Sequence, residues 1–239
     1  MTNPKIAEEK VLVAGILNCD RNFQIPQFMK SLKGLSHPNR ELVCIDLGSI
    51  KDFQRFYRNV KGIKIEKIES KSNEREAIVA AREYFRKKAI DGNYDWLLIA
   101  DQSIVLPSNF IGAAIATKRK IISGIYFETA SIIQNNSRTI TYLPNLFSFS
   151  GNDGKNVNVT RMSFDDLLPS RIIDVDMAEL KVIMLHKSIL DKIGFVHQDN
   201  PVQEDIHFAM QCRKLQQKIA VDSSMVCRNN KTIVMDAFG

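Results

Sequence analysis

The sequence predicts an α/β protein built on a mostly parallel central sheet. Continuous apolar runs at Val11–Leu17, Leu42–Ile45 and Trp96–Ala100 are typical of strands that are buried on both faces of such a sheet. Segments whose apolar residues have helical spacing lie between these runs. Strands and helices that alternate in this order predict right-handed crossovers, and therefore parallel neighbouring strands.

Two helices in the first half have clear start signals. Pro26 suits a first helical turn, and the apolar residues from Ile25 to Leu35 follow at helical spacing. Asn73 predicts an N-cap, with Glu76 at the third helical position to close a capping box. This second helix is expected to run to about Ile90, where Asp-Gly-Asn ends it.

The second half has shorter elements. One or two strands are expected within Thr139–Ser150, whereas Gly151–Thr160 has almost nothing to bury and predicts a mobile loop. A short helix is expected at Lys187–Ile193, with Gly194 as its C′ residue, and a longer one at Glu204–Lys218. The other predicted strands and extended pieces are Ile63–Ile68, Ile121–Phe127, Ile172–Val175, Leu180–Leu185, Ile219–Val221 and Met225–Cys227.

The length and composition fit one domain over residues 1–239. A content of 44% hydrophobic and 25% charged residues excludes collagen, low-complexity disorder and a coiled coil. No apolar run reaches about 18 residues, so no transmembrane segment is expected. The polar N-terminus is unlike a secretory signal. No internal repeat or linker rich in Pro or Gly divides the chain.

Charge and cysteine content indicate the partners and the compartment. The net charge of +6 suits anionic partners, whether nucleotide diphosphates, nucleic acid or acidic membrane surfaces, and does not choose among them. The four cysteines form no CxxC pair and lie among apolar neighbours. This pattern predicts free buried thiols, a reducing compartment and a cytoplasmic location, without a zinc site or a disulfide framework.

The candidate site residues follow the ends of the predicted strands. Open parallel sheets bind ligands outside the carboxyl ends of their strands, which here are Asn18–Arg21, Asp46–Ser49 and Asp101–Ser103. Asp101 could reach a divalent cation that bridges two phosphates, or it could form an Asx turn. Asp46 could accept hydrogen bonds from a ribose or a nucleobase, or it could serve its own turn.

Two further sets of residues have both a functional and a structural interpretation. Glu204 and Asp205 open a predicted helix, where a carboxylate could act as a general base or simply complement the helix dipole. Arg21, Arg75 and Arg82 could bind phosphate oxygens, or the two helical arginines could lie on a solvated face. The histidines have no metal-ligand spacing.

The order of these elements resembles that of GT-A glycosyltransferases, a Rossmann-like fold, and most closely the large inverting family numbered two. In the stretch from Asn73 to Pro107, Arg82, Asp101 and Val105-Leu106-Pro107 lie in register with a motif of that family. Gln203–Phe208, with Arg213 further on, is similar to its acceptor-side motif. The resemblance covers nearly the whole chain and implies a nucleotide-binding half at about 11–107 and an acceptor-side half at about 108–230.

The resemblance implies transfer of a sugar from a nucleotide-diphosphate donor to a hydroxyl of a carbohydrate, lipid-linked or protein acceptor. It implies Asp205 as the base, Glu204 as its neighbour, Asp101 as a ligand of Mn²⁺ or Mg²⁺, and Asp46 as a nucleoside ligand. The residues expected to contact the substrates are Gly15, Ile16, Leu17, Asn18, Arg21, Asp46, Ser49, Arg82, Gln102 and Ser103. It implies no nucleic-acid partner, and it is compatible with peripheral membrane contact.

The sequence departs from the family at the metal motif. Ser103 stands where the second acid of an Asp-x-Asp motif is expected, and no His follows Val226. Either the diphosphate itself holds most of the metal, or cations such as Arg21, Lys155 or Arg228 replace part of its charge. Metal independence, a catalytically weak nucleotide-sugar-binding protein, and a nucleotidyltransferase or basic nucleic-acid binder remain alternatives.

Overall fold

The computed structural model describes residues 4–48, 57, 60–68, 73–134, 137–150, 158–196 and 204–230. The helices are α1 (Pro4–Glu8), α2 (Ile25–Lys33), α3 (Glu74–Asp91), α4 (Phe110–Ala116), α5 (Lys187–Leu190) and α6 (Glu204–Lys214). The strands of the first half are β1 (Val11–Leu17), β2 (Arg40–Asp46), β3 (Lys64–Glu66), β4 (Trp96–Asp101), β5 (Ile104–Val105) and β6 (Ile121–Ser123). Those of the second half are β7 (Phe127–Gln134), β8 (Ser137–Pro144), β9 (Leu146–Ser150), β10 (Asn158–Arg161), β11 (Ile172–Val175), β12 (Met177–Ala178), β13 (Val182–His186), β14 (Ile219–Asp222) and β15 (Arg228–Asn229).

The central sheet has eight strands in the order β11-β14-β6-β13-β4-β1-β2-β3. The pairs β4-β1, β1-β2, β2-β3 and β14-β6 are parallel. β13 is antiparallel to both of its neighbours, and β11 is antiparallel to β14. The predicted α/β class and the mostly parallel sheet are therefore confirmed, with two strands of the second half running against the others.

Helices cover both faces of this sheet. On one face, Phe85 of α3 and Phe208 of α6 pack in a cluster with Leu97, Ile99 and Ile183. On the opposite face, the apolar sides of α2 and α4 pack against alternate residues of the same strands. Because successive residues of a strand point to opposite faces, odd-numbered residues of β4 and β13 face α3 and α6.

Local sequence signals explain the first-half elements. The side chain of Asn73 accepts a hydrogen bond from the backbone N–H of Glu76 at 2.9 Å, which confirms the predicted N-cap of α3. All seven residues of β1 are buried, as its continuous apolar run predicts. A Cβ at Gly15 would lie 2.5 Å from Cys44 Sγ and 3.0 Å from Phe28. This glycine therefore lets α2 pack closely on the sheet.

The second half departs from the predictions in its boundaries. Helix α5 ends at Leu190, so Gly194 is not its C′ residue, and α6 ends at Lys214, before the predicted Lys218. The predicted strand Leu180–Leu185 begins only at Val182. Strand β10 occupies the end of the predicted loop Gly151–Thr160, and residues 151–157 lie outside the described residues.

Two further predictions concern the thiols and the membrane. All four cysteines are free and buried, as their apolar neighbours indicate. In the ranges that the structure describes, no helix combines the length and the apolar character needed to cross a bilayer.

Candidate active site

The carboxyl ends of β1, β2 and β4 bring the first candidate residues to one edge of the sheet. In the register of these strands, Ile16 lies beside Asp101 and Leu17 beside Asp46. Asn18 follows directly at the end of β1. The structure thus places Asn18, Asp46 and Asp101 side by side, as the strand-end rule predicts.

Asn18 and Gln102 join the ends of β1 and β4. The backbone N–H of Asn18 donates to Gln102 Oε1 at 2.7 Å, and Gln102 Nε2 donates to the carbonyl of Asn18 at 3.2 Å. Gln102 Nε2 also lies 3.4 Å from Gln24 Oε1. The Gln102 side chain is buried, so it fixes the backbone of this edge.

Asp46 holds two turns together from the α2 side of the sheet. Its Oδ1 accepts hydrogen bonds from the backbone N–H of Cys19 at 3.1 Å and of Gly48 at 2.9 Å, and the residue is only 3% exposed. A Cβ at Gly48 would lie 2.7 Å from the backbone nitrogen of Cys19, so the two turns need a glycine there. Burial, with the neighbouring Asp46 carboxylate, raises the pKa of Tyr57. Asp46 Oδ1 thus stabilises the turn that follows β2, while a contact of Asp46 with a ribose or a nucleobase stays a prediction. Ser49 lies outside the described residues.

Asp101 is engaged by Ser103, the residue that replaces the expected second acid. Asp101 Oδ1 accepts the backbone N–H of Ser103 at 2.8 Å and its hydroxyl at 2.5 Å. Across the described ranges, no group of three or more His, Cys, Asp or Glu side chains could hold a metal ion. Since Mn²⁺ and Mg²⁺ need several oxygen ligands, these residues do not by themselves fit a site for either ion.

Asp205 lies in the first turn of α6, half-buried on the face covered by α3. Its Oδ1 accepts a hydrogen bond from the backbone N–H of Leu180 at 3.1 Å. Burial raises the pKa of Asp205, and nearby Glu179 adds to this effect, whereas Arg82, the Leu180 N–H and Lys181 oppose it. A carboxylate whose pKa is raised toward neutrality is a stronger proton acceptor than an ordinary aspartate.

Arg82 and Glu204 form an ion pair that ties α3 to the start of α6. Arg82 Nη2 also donates to the carbonyl of Leu180 at 2.8 Å, and Arg82 is 6% exposed. Both terminal nitrogens of the guanidinium are therefore occupied by the protein. This geometry gives both residues a positioning role beside Asp205, and a direct contact of either with substrate stays a prediction.

The segment Glu179–Lys181 connects the two ends of the candidate site. The backbone N–H of Asp101 donates to the carbonyl of Lys181 at 2.8 Å, and Leu180 binds both Asp205 and Arg82. Val182 pairs with Ala100, so Lys181 lies opposite Asp101 on the face toward α3 and α6. A movement of this segment would displace Asp101 and Asp205 together.

A ring of four charged side chains, which the sequence did not predict, lies next to Asp205. Lys181 Nζ contacts Glu128 at 2.7 Å and Glu179 at 3.0 Å, and Arg161 contacts the same two carboxylates at 3.7 and 3.4 Å. The hydroxyl of buried Tyr126 donates to Glu179 at 2.5 Å. This charge ring (Glu128, Arg161, Glu179, Lys181) comes from β7, β10 and the segment before β13, so no sequence spacing marks it.

The remaining predicted residues have other positions. Gly15, Ile16 and Leu17 are inside β1, where their backbone groups pair with β2 and β4, so only Asn18 reaches the edge of the sheet. Arg21 lies in the short helical turn Cys19–Gln24 that follows this edge. The predicted lining of a nucleotide pocket by the backbone of Gly15–Asn18 stays a prediction.

Comparison with known proteins identifies the fold. No protein-family model matches the sequence, and no curated protein matches it. The structure is similar to the crystal structure of GalNAc-T7 with UDP, GalNAc and Mn²⁺, at a TM-score of 0.63 and 11% sequence identity. The fold is that of a GT-A glycosyltransferase.

The match covers 92% of this chain and 44% of that chain, so this chain spans less than half of the length of GalNAc-T7. At 11% identity the likeness establishes the GT-A fold alone. Membership of the inverting family numbered two stays a prediction.

Proposed function

We propose that this chain is a glycosyltransferase that moves a sugar from a nucleotide-diphosphate donor to a hydroxyl acceptor with inversion. The observation that carries the proposal is the position of Asp205. Within a GT-A fold, this half-buried carboxylate with a raised pKa binds the N–H of Leu180, and the carbonyl of the next residue, Lys181, accepts the N–H of Asp101. The neighbour GalNAc-T7 was crystallised with UDP, which supports a nucleotide-sugar donor.

In the proposed reaction, Asp205 is the general base. Its Oδ1 is held by the Leu180 N–H, which leaves Oδ2 to take the proton of the acceptor hydroxyl. The acceptor oxygen forms a bond to the anomeric carbon as the bond from that carbon to the diphosphate oxygen breaks. The electron pair of the broken bond leaves with the nucleoside diphosphate.

The donor would lie over the carboxyl ends of β1, β2 and β4. We assign residues 11–107 to the donor half and 108–230 to the acceptor half, with Asn18 and Gln102 shaping the floor between the two turns. The charge ring lies on the acceptor side of Asp205 and carries two positive and two negative groups. Its carboxylates and cations are hydrogen-bond partners suited to the hydroxyl groups of a polar acceptor.

The proposal leaves two roles for Asp101: it binds a metal ion with the donor diphosphate, or it only stabilises the turn with Ser103. GalNAc-T7 was crystallised with Mn²⁺, whereas the described residues of this chain form no group of three or more His, Cys, Asp or Glu that could hold a metal ion. The Asp101→Ala variant decides the role of this carboxylate, with calorimetry of UDP binding in Mn²⁺ and in chelator. A loss of affinity confined to Mn²⁺ would make Asp101 a metal ligand, whereas equal losses would restrict it to the turn with Ser103.

The activity itself is tested by incubating the protein with UDP-, GDP- and dTDP-sugars, with and without Mn²⁺, and measuring release of the nucleoside diphosphate. The proposal predicts release from one donor class that Asp205→Asn suppresses. If no donor is hydrolysed or transferred but one still binds, the second candidate, a catalytically weak nucleotide-sugar-binding protein, is favoured. The observation that favours this second candidate is that Asp101 Oδ1 binds Ser103, the residue that stands in place of the second acid of the metal motif.

A further inference from the structure

A cavity of about 1000 Å³ lies at the opposite edge of the sheet from the candidate active site. Trp96, the first residue of β4, and His186, the last residue of antiparallel β13, line it. Asp101 is the last residue of β4, so the strand separates the two sites by about 17 Å at 3.3 Å per residue. The cavity is thus a second concave site, in the size range of small-molecule pockets.

The wall of this cavity on the side of α4 is apolar and made of small residues. Gly112, Ala113 and Ala116 line it together with the larger Ile115, while Phe110 and Ile111 of the same helix are buried in the core. A Cβ added at Gly112 would meet no described atom within 4 Å. The open volume is therefore a consequence of small side chains on the outer face of α4.

The rim of the cavity is cationic. Lys118, Arg119 and Lys120 line it in sequence, and Lys118 has a φ of +58°, a left-handed conformation that costs free energy in a residue with a side chain. Arg119 pairs with Asp174 at 3.1 Å, whereas Lys118 and Lys120 form no ion pair within the described part of the chain. Two lysines without an ion-pair partner among the described residues therefore line the cavity.

The lining also contains one acidic side chain, Glu9, which accepts a hydrogen bond from Trp96 Nε1 at 3.2 Å. Three basic side chains therefore face one acidic side chain, and the lining is cationic on balance. His186 Nδ1 accepts the backbone N–H of Ser188 at 3.2 Å, which places the ring proton on Nε2, and burial lowers the pKa of His186. The ring is thus neutral at pH 7 and provides one N–H donor, while its edge packs against Trp96 with centroids 4.8 Å apart.

We propose that this cavity binds an amphiphilic anion, an apolar body that ends in one phosphate or carboxylate group. The small-residue wall and Trp96 accommodate the apolar body, and Lys118 and Lys120 bind the acidic group at the mouth. A lone phosphate would leave most of the volume empty, and a neutral apolar ligand would not use the cations. The same chemistry is found in a free metabolite and in an acidic lipid headgroup.

Trp96 is the only tryptophan of the chain, so intrinsic tryptophan fluorescence reports on this cavity. Monodecyl phosphate, kept below its micelle concentration, is titrated into the full chain, with decanol and inorganic phosphate as partial ligands. The proposal predicts a saturable change of Trp96 emission with decyl phosphate and at least about tenfold weaker binding of each partial ligand. Phosphatidylcholine vesicles with and without phosphatidic acid separate the lipid source from the free metabolite.

Two variants, each with a matched control variant, locate the binding. Gly112→Leu fills the cavity and should abolish the response, while Gly112→Ala leaves most of the volume and should preserve it. Lys118→Ala with Lys120→Ala should weaken binding about tenfold, whereas the control pair Lys87→Ala with Lys192→Ala should not. Circular dichroism checks that each variant is folded. The proposal fails if neither decyl phosphate nor acidic vesicles change the emission, or if a folded Gly112→Leu variant responds like the wild type.

Discussion

The two edges of the central sheet differ in how their polar groups are satisfied. At the carboxyl edge, Asp46, Asp101 and Asp205 each accept backbone N–H groups, and Arg82 is enclosed by Glu204 and a carbonyl. At the amino edge, small side chains leave a cavity whose lysines have no ion-pair partner among the described residues. One edge is therefore preorganised around a carboxylate, as the proposed reaction requires, while the other is open and cationic.

Ion pairs at the two edges should contribute very differently to stability. Arg82→Met leaves Glu204 half-buried without its cation, and breaking a buried pair costs about 3–5 kcal/mol. Arg119→Met removes an exposed pair with Asp174, which contributes about 0–1 kcal/mol. Urea unfolding of both variants measures the difference. Equal losses of unfolding free energy would mean that the Arg82–Glu204 pair is as solvated as a surface pair. The carboxyl edge would then not be preorganised by this pair.

Two glycines, one in the core beside the carboxyl edge and one at the cavity of the amino edge, differ in the space around them. Gly15→Ala places a methyl group against Cys44 Sγ and Phe28, and overpacking of this kind costs about 1–3 kcal/mol. Gly112→Ala adds a methyl group to open space in a helix, which should stabilise the fold by about 0.5–1 kcal/mol. The Tm should therefore fall for Gly15→Ala and rise for Gly112→Ala. A stabilising Gly15→Ala would contradict the close packing of α2 on β1.

The sequence predicted those parts of the fold that local signals determine. The buried run of β1, the cap at Asn73 and the strand predicted at Trp96–Ala100 depend on neighbours within a few residues, and all three are present. The end of α5 was misplaced because Gly194 resembles a C′ residue. In the structure its N–H and carbonyl instead bind the side chain of Gln211 on α6, a tertiary contact that no local pattern indicates.

The candidate site was predictable only in outline. Strand ends located Asn18, Asp46 and Asp101, but the pairing of Arg82 with Glu204 joins helices 122 positions apart in sequence. The charge ring draws Glu128, Arg161 and Lys181 from separate elements of the second half. Such networks depend on how β13 inserts between β4 and β6, which neither composition nor periodicity specifies.

The charge ring should set the pH dependence of the reaction through Asp205. Lys181→Met removes a cation that lowers the pKa of Asp205, so the acid limb of kcat/KM should move to higher pH. Glu179→Gln removes an anion that raises this pKa, so the limb should move to lower pH. Carbon NMR titration of the Asp205 carboxyl gives the same answer without relying on activity.

The control for this pair is Lys187→Met. Lys187 binds Asp95 at 2.7 Å at the amino edge and should leave the profile unchanged. If Lys181→Met and Glu179→Gln shift the pKa of Asp205 in the same direction, the charges of the ring do not control this pKa.

The smallest expected effect is on the pH dependence of stability. Because the pKa of Asp205 is raised above 3.8 in the folded state, the folded chain binds this proton more tightly than the unfolded chain. The free energy of unfolding therefore falls as pH rises from 3.8 through the folded pKa. Asp205→Asn lacks this proton, so its stability relative to the wild type should increase across that window. If the difference in unfolding free energy between Asp205→Asn and the wild type is the same at every pH in that window, burial does not raise the pKa of Asp205.

The role of Asp205 as the base of the proposed sugar transfer can be tested directly. The measurement is the transfer rate of Asp205→Asn with the donor that the wild type uses, alongside calorimetric affinity for the nucleoside diphosphate and the surface control Asp174→Asn. We expect a loss of about 10²–10⁴-fold in rate with unchanged nucleotide affinity, since only the proton acceptor is removed. A rate within a few-fold of both the wild type and the control would contradict it.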